Sequence, residues 1–261
     1  MRRSLQYVVI GLVAYLVFVV ATVPAARVYA WISQGQLIPV QLYGVTGTVW
    51  HGRALQARIG RQTLDSVTWS WRPSALLRGR IGATVDALYR QQAIAINAGL
   101  SVDRTLVLSG VNASVDVTAI EDALYPDPLG LTGMVEIDLK DVRLQSGRLT
   151  ALQGDVRWNN GGLGPPVNIA IGSYLASFVT EKNIIHGTVR DTDGPVIVNG
   201  NLELQRNGQY QLTASLAARD AANSQVRQAL GAFGTPSPEG KVTIRKTGML
   251  DLPVLLGMRG H

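Results

Sequence analysis

From Leu5 to Val23 the chain is almost continuously apolar, and no charge occurs between Arg3 and Arg27. At roughly 1.5 Å per residue, a helix over the 23 residues from Ser4 to Ala26 reaches about 34 Å, enough for a bilayer core of about 30 Å. The pattern predicts an N-terminal transmembrane helix. Arg2 and Arg3 precede it and the long remainder follows, which puts the amino terminus in the cytoplasm and the rest of the chain outside. A cleaved signal peptide is the rival reading, since Val28-Tyr29-Ala30 offers a small-residue cleavage site. The apolar run is longer than the usual signal core of roughly 7 to 15 residues.

Beyond Pro39 the period changes to short runs of alternating apolar and polar residues, separated by Gly, Asn-Gly and Asp-Gly pairs. Val135, Ile137 and Leu139 share one side, with Met134, Glu136, Asp138 and Lys140 on the other. At Asp141 the phase slips, and Val142 and Leu144 resume on even numbers, as a β-bulge requires. Asn207-Gly208 between Leu202-Glu203-Leu204 and Tyr210-Gln211-Leu212 is a hairpin signal, and Asp191-Thr192-Asp193-Gly194 closes another. Two short helices are expected: Thr118 to Leu124, stopping before Tyr125-Pro126-Asp127-Pro128, and a segment capped by Asp220 with Ala222, Val226, Leu230 and Phe233 on one stripe.

The expected fold is therefore mainly β: an N-terminal transmembrane helix, then a long, curved, mostly antiparallel sheet with one or two short helices. Without βαβ alternation, a Rossmann or barrel enzyme fold is disfavoured. Residues 1–30 form the short cytoplasmic end and anchor, and 31–261 a β-rich domain outside the cytoplasm. An internal break is expected near 159–166, where Asn159-Asn160-Gly161-Gly162 leads to Pro165-Pro166.

Composition narrows the chemistry. The absence of cysteine removes thiol catalysis, zinc-thiolate and iron–sulfur sites, and any disulfide framework. Charge is uneven: Arg27, Arg53, Arg58, Arg61, Arg72, Arg78, Arg80 and Arg90 face only Asp65 and Asp86 within residues 27–90. Such a basic stretch suits anionic lipid or an acidic partner, or is simply spread over polar strand faces. Nucleic acid is not expected, because no Lys-rich run or binding motif accompanies it. His51, His186 and His261 are scattered, and no nucleophile elbow, phosphate loop or dinucleotide fingerprint occurs. The expectation is a protein that is not an enzyme and carries no metal or cofactor.

The most distinctive tract runs from Gly44 to Arg80. Trp69 and Trp71, two residues apart, share a strand face, and Pro73 ends that strand. Trp50, Arg53, Trp69, Trp71, Arg72, Arg78 and Arg80 are the candidate residues, as a core ladder that sets sheet register or as a docking surface for a partner or acyl chains.

This tract, Gly-x-x-Gly-Thr-x-Trp-x-Gly followed by Trp-x-Trp-x-Pro-x-x-Leu-Leu-x-Gly, resembles the protein N family of the type II secretion system of Gram-negative bacteria. Pro128-Leu129-Gly130, Gly154-Asp155-Val156-Arg157-Trp158, Gln209-Tyr210 and the small-residue helix before Gly240 agree. The resemblance implies a single-pass inner-membrane accessory component with a periplasmic bulk. It would meet the inner-membrane platform or the secretin and support export of folded proteins across the outer membrane, with no catalytic residues. A curved sheet with one apolar face is also similar to the AsmA-like lipid-transfer proteins, whose half-barrel grooves hold acyl chains, so lipid is the alternative ligand.

Overall fold

Every alternating stretch becomes a strand of one sheet. The computed structural model describes residues 2–34, 40–59, 62–101, 103, 105–124, 130–145, 147–165, 168–220, 223–231 and 234–250. The strands are β1 (Val40–Tyr43), β2 (Thr46–Gly47), β3 (His51–Ile59), β4 (Gln62–Trp71), β5 (Arg80–Tyr89), β6 (Gln92–Ser101) and β7 (Leu106–Asp116). They continue as β8 (Leu131–Gln145), β9 (Arg148–Leu163), β10 (Ile169–Glu181), β11 (Ile184–Asp193), β12 (Val196–Gln205), β13 (Gln209–Ala218) and β14 (Lys241–Met249). Sheet order follows chain order through all fourteen, except that β2 pairs only with β3. Neighbours are antiparallel, so each connection is a tight turn or a short excursion, as with Asn207-Gly208 between β12 and β13.

The register separates two chemistries. Directly opposed residues form one row: Ala87, Ile94, Ala113, Ile137, Val156, Ala176, Val189, Gly200, Ala214 and Ile244. One residue along each strand, a second row begins at Arg53, Thr68, Asp86, Ala95 and Asn112, then continues through Asp138, Asp155, Ser177, Thr188, Asn201, Thr213 and Arg245. Since strand side chains alternate, the first row lies on an apolar face and the second on a polar one. The slip at Asp141 is a register shift between Leu139 and Asp141, which keeps Val142 opposite Leu152 on the apolar side.

Three clusters bury parts of the apolar face. Ala54, Ala57, Val67 and Ala87 pack with Val40, Leu42, Leu64 and Trp69 at the first strands. Helix α3 (Val117–Leu124) adds Val117 and Ile120 to Val115 and Val135 in the middle. Helix α4 (Ser224–Gly231) brings Val226 and Leu230 onto Val196 and Val242 at the far end. Between these clusters Ile94, Ile96, Leu106, Leu108 and Leu139 are only half-buried, and Ile81 and Leu100 are 65% and 49% exposed. The α3 cap is Asp116, whose Oδ1 accepts from the Thr118 amide and hydroxyl. The α4 cap is Asn223, whose Oδ1 accepts from the Val226 amide at 3.1 Å, in place of the expected Asp220. Ala222, Phe233 and the Tyr125-Pro126-Asp127-Pro128 stop lie outside the described residues.

The expected transmembrane helix is corrected. The apolar segment is helical as α1 (Arg2–Ala21), but the chain leaves the helix at Thr22 and restarts after Pro24 as α2 (Ala25–Gln34). Its uncharged part from Ser4 to Ala21 reaches about 27 Å, short of the roughly 30 Å apolar core, and among the described residues no helix is long and apolar enough to cross a membrane. The physical cause lies elsewhere in the sequence. The Thr22 hydroxyl donates to Phe18 O, the Val49 amide to Val23 O at 3.1 Å, and Pro24 bridges Thr48, so the segment after Ala21 is drawn onto the sheet.

Candidate functional site

The 44–80 tract is divided by the sheet it belongs to. Gly52, Trp69, Val85 and Ile96 are direct partners, and Trp71 faces Ala83, so Trp69 and Trp71 lie on the apolar face. Gly52 is required there: a Cβ would run into the Cζ2 edge of Trp69. The Trp69 indole donates to Val49 O at 3.1 Å. Trp50 packs on Trp71 with ring centroids 4.8 Å apart and donates its indole N–H to Val20 O at 2.7 Å, at the carboxyl end of α1. This bond satisfies a carbonyl that the helix end leaves open, and the aromatic cluster thereby ties α1 to the sheet. The buried Trp71 Nε1 has no hydrogen-bond partner among the described residues.

The arginines lie on the other side. Arg53 is exposed on the polar face, where its Nε donates to Thr46 Oγ1 at 3.2 Å. Arg72 opens the 3₁₀ turn Pro73–Arg78, its amide donating to Gly82 O at 2.8 Å, and that turn folds back over the polar face of β5. Beneath it Arg72, Ser74, Arg80, Asn97 and Ser109 line a shallow recess of about 50 Å³. The Arg78 side chain lies outside the described residues. The tract is thus an apolar tryptophan cluster on one face and a basic margin on the other, not a single patch.

Further along the apolar face the structure assembles a group that alternation alone does not announce. Asp191, read in the sequence as a turn residue, points among apolar neighbours, accepts from the Val198 amide at 3.0 Å and pairs with Arg219. Arg219 also donates from Nε to Gly194 O at 2.7 Å. The Tyr174 hydroxyl donates to Ile171 O at 2.8 Å, and burial, reinforced by the Asp191 charge, pushes its pKa up to about 12. The Arg219 bonds lock the β11–β12 turn to the end of β13. The only sequence signal was the apolar setting of Asp191, two positions after Val189. His51 is exposed, His186 is 3.9 Å from the Glu203 carboxylate at the surface, and His261 lies outside the described residues. Among the described residues, no three His, Asp or Glu side chains converge as metal ligands.

The family model for type II secretion system (T2SS), protein N matches residues 39–245, from the segment before β1 into β14. The type II secretion system protein N of Aeromonas hydrophila is 24% identical over 260 residues, covering 96% of this chain and 100% of that protein. The protein of the same name from Vibrio cholerae is 23% identical over 221 residues, covering 81% of this chain and 85% of its own length. No solved structure is a significant match.

Proposed function

This chain belongs to the type II secretion system protein N family, and from that premise we propose that it supports export of folded proteins as an accessory component, through non-covalent contacts with other parts of the machine. The observation that carries the reading is the family match across nearly the whole sheet, residues 39–245. A sheet that presents an apolar and a polar face along all its strands supplies contact area rather than a reaction centre. The setting proposed for it is the periplasmic side of the inner membrane. Supporting this are the family and α1, whose apolar side chains from Ile10 to Val20 are exposed.

The tryptophan cluster is proposed as the structural root of this end of the sheet, and Arg53, Arg72 and Arg80 as the margin that meets a partner. Deletion of the chain tests the reading. Exported proteins should still be made and reach the periplasm, but accumulate there instead of in the medium. Undiminished release by the deletion strain overturns it.

One observation favours a second reading, in which the chain holds lipid: the apolar face between the three clusters is only half-covered, as at Ile94, Leu106 and Leu139. On that reading the purified full chain carries phospholipid detectable by mass spectrometry, and Leu139→Asn empties it. Bound lipid together with normal protein release in the deletion strain would favour this alternative over the secretion role.

A further inference from the structure

The two margins of the sheet are unlike. β1 is four residues long, and the Tyr29 hydroxyl of α2 accepts from the Leu42 amide at 2.7 Å, taking up one of its main-chain groups. β14 is nine residues long and pairs with β13 from Lys241 opposite Ala217 to Met249 opposite Gln209. Among the described residues no strand pairs with its outer side. In an antiparallel ladder alternate residues turn their N–H and C=O groups to opposite sides. Those of Lys241 are taken up by Ser237, whose amide donates to Lys241 O at 2.8 Å and whose hydroxyl accepts from the Lys241 amide at 3.3 Å. From Thr243 to Met249 about 20 Å of open main-chain donors and acceptors runs along that margin. The strand carries Lys241, Arg245 and Lys246 and no acid. Lys241 lies 3.2 Å from Glu239, while Arg245 and Lys246 are exposed.

We propose that the outer edge of β14 receives an extended acidic segment of another protein, which adds to the sheet as a further antiparallel strand. The face assignment specifies its chemistry. Thr243, Arg245 and Thr247 lie on the polar face, Val242 and Ile244 on the apolar one. A segment that alternates carboxylate and aliphatic side chains sets an acid beside Arg245 and an aliphatic group beside Ile244 in the same register. A second copy of this chain is the poorer occupant: two antiparallel β14 strands paired about Thr243 set Lys241 against Arg245 twice, and paired about Arg245 they set that arginine against itself. The inference deepens the secretion reading and rests on it only for the source of the partner.

The test uses the full-length chain and a blocked peptide of alternating Glu and Val, matched to the open stretch from Thr243 to Met249. Calorimetry should show binding that weakens with added salt, and hydrogen exchange should show new protection at alternate β14 amides. The double variant Arg245→Glu, Lys246→Glu should bind this peptide about tenfold more weakly and a Lys/Val peptide better, with an unchanged circular dichroism spectrum as proof of folding. Equal binding by the variant, protection outside β14, or a dimer of the unmixed chain that the variant abolishes overturns the proposal. In cells, normal release by the double variant beside retention in the deletion strain sinks this inference alone. Normal release by the deletion strain sinks the secretion reading, whatever the peptide does.

Discussion

The first strands and the last strands of this sheet solve the same problem with different materials. At β1–β5 the apolar face has a floor of small residues, Ala54, Ala57 and Ala87, on which Trp69 lies, and Trp50 and Trp71 carry the packing to the end of α1. At β12–β14 the floor is Val196 and the fully buried Val242, and the cover is a two-turn helix that contributes Val226 and Leu230. An indole spans several alanine positions and also offers a donor. Aliphatic packing needs a second element to complete it, and it leaves the neighbouring edge free. One end is thus closed by aromatic side chains and helix carbonyls, and the other ends in an open strand.

The largest effect is expected from Trp69→Ala, which removes the side chain resting on Gly52 and the alanine floor. A loss of roughly 3 to 5 kcal/mol in equilibrium denaturation is expected. Hydrogen exchange should lose protection in β3–β5 first, and simultaneous loss in β12–β14 would show that the ends are not separate. Leu230→Ala should cost about 3 kcal/mol and release α4, with exposure of Val242 and exchange confined to β13 and β14. If β3 and β4 loosen equally, the same objection applies from the other side.

A smaller change is expected from Trp50→Phe, which keeps a ring against Trp71 but loses the bond to Val20 O. The cost should be about 1 kcal/mol, read as faster proteolysis around Thr22 to Pro24 with little shift of the global midpoint. The smallest effect lies between the two ends, at Tyr174. Its folded pKa is raised from 10.0 to about 12, so the neutral hydroxyl is favoured in the folded chain. The associated stability is fully present below pH 10 and is lost as pH rises through about 12, because the unfolded tyrosine ionises first. Wild type should therefore lose more stability than Tyr174→Phe across that window. Parallel decline of the two proteins would assign the alkaline loss to other groups.

How much of this was readable depends on how local each cause is. The bulge at Asp141 was legible because one slipped residue changes the parity of every apolar position after it. The hairpin at Asn207-Gly208 was legible because Gly208 supplies the positive φ, 91°, inside the turn itself. The division of the 44–80 tract followed from parity for the tryptophans. It did not for Arg72, because the 3₁₀ turn after Pro73 carries the chain back across the polar face.

What the sequence by itself determined is the class of the molecule: strand after strand with one apolar side, short turns between them, few helices, no cysteine chemistry, and a tryptophan tract marking its family. Tertiary structure alone decided where α1 stops, since the groups that take its carbonyl and the next segment, Trp50 and Val49, come some 30 residues later. It also decided that Asp191 and Arg219 meet, 28 residues apart, and that β1 is capped while β14 is open from Thr243 onward. Alternation is a property of neighbouring residues and survives in any pairing. Which carbonyl is captured, and which edge is left free, depends on the register of distant strands, which no local pattern contains.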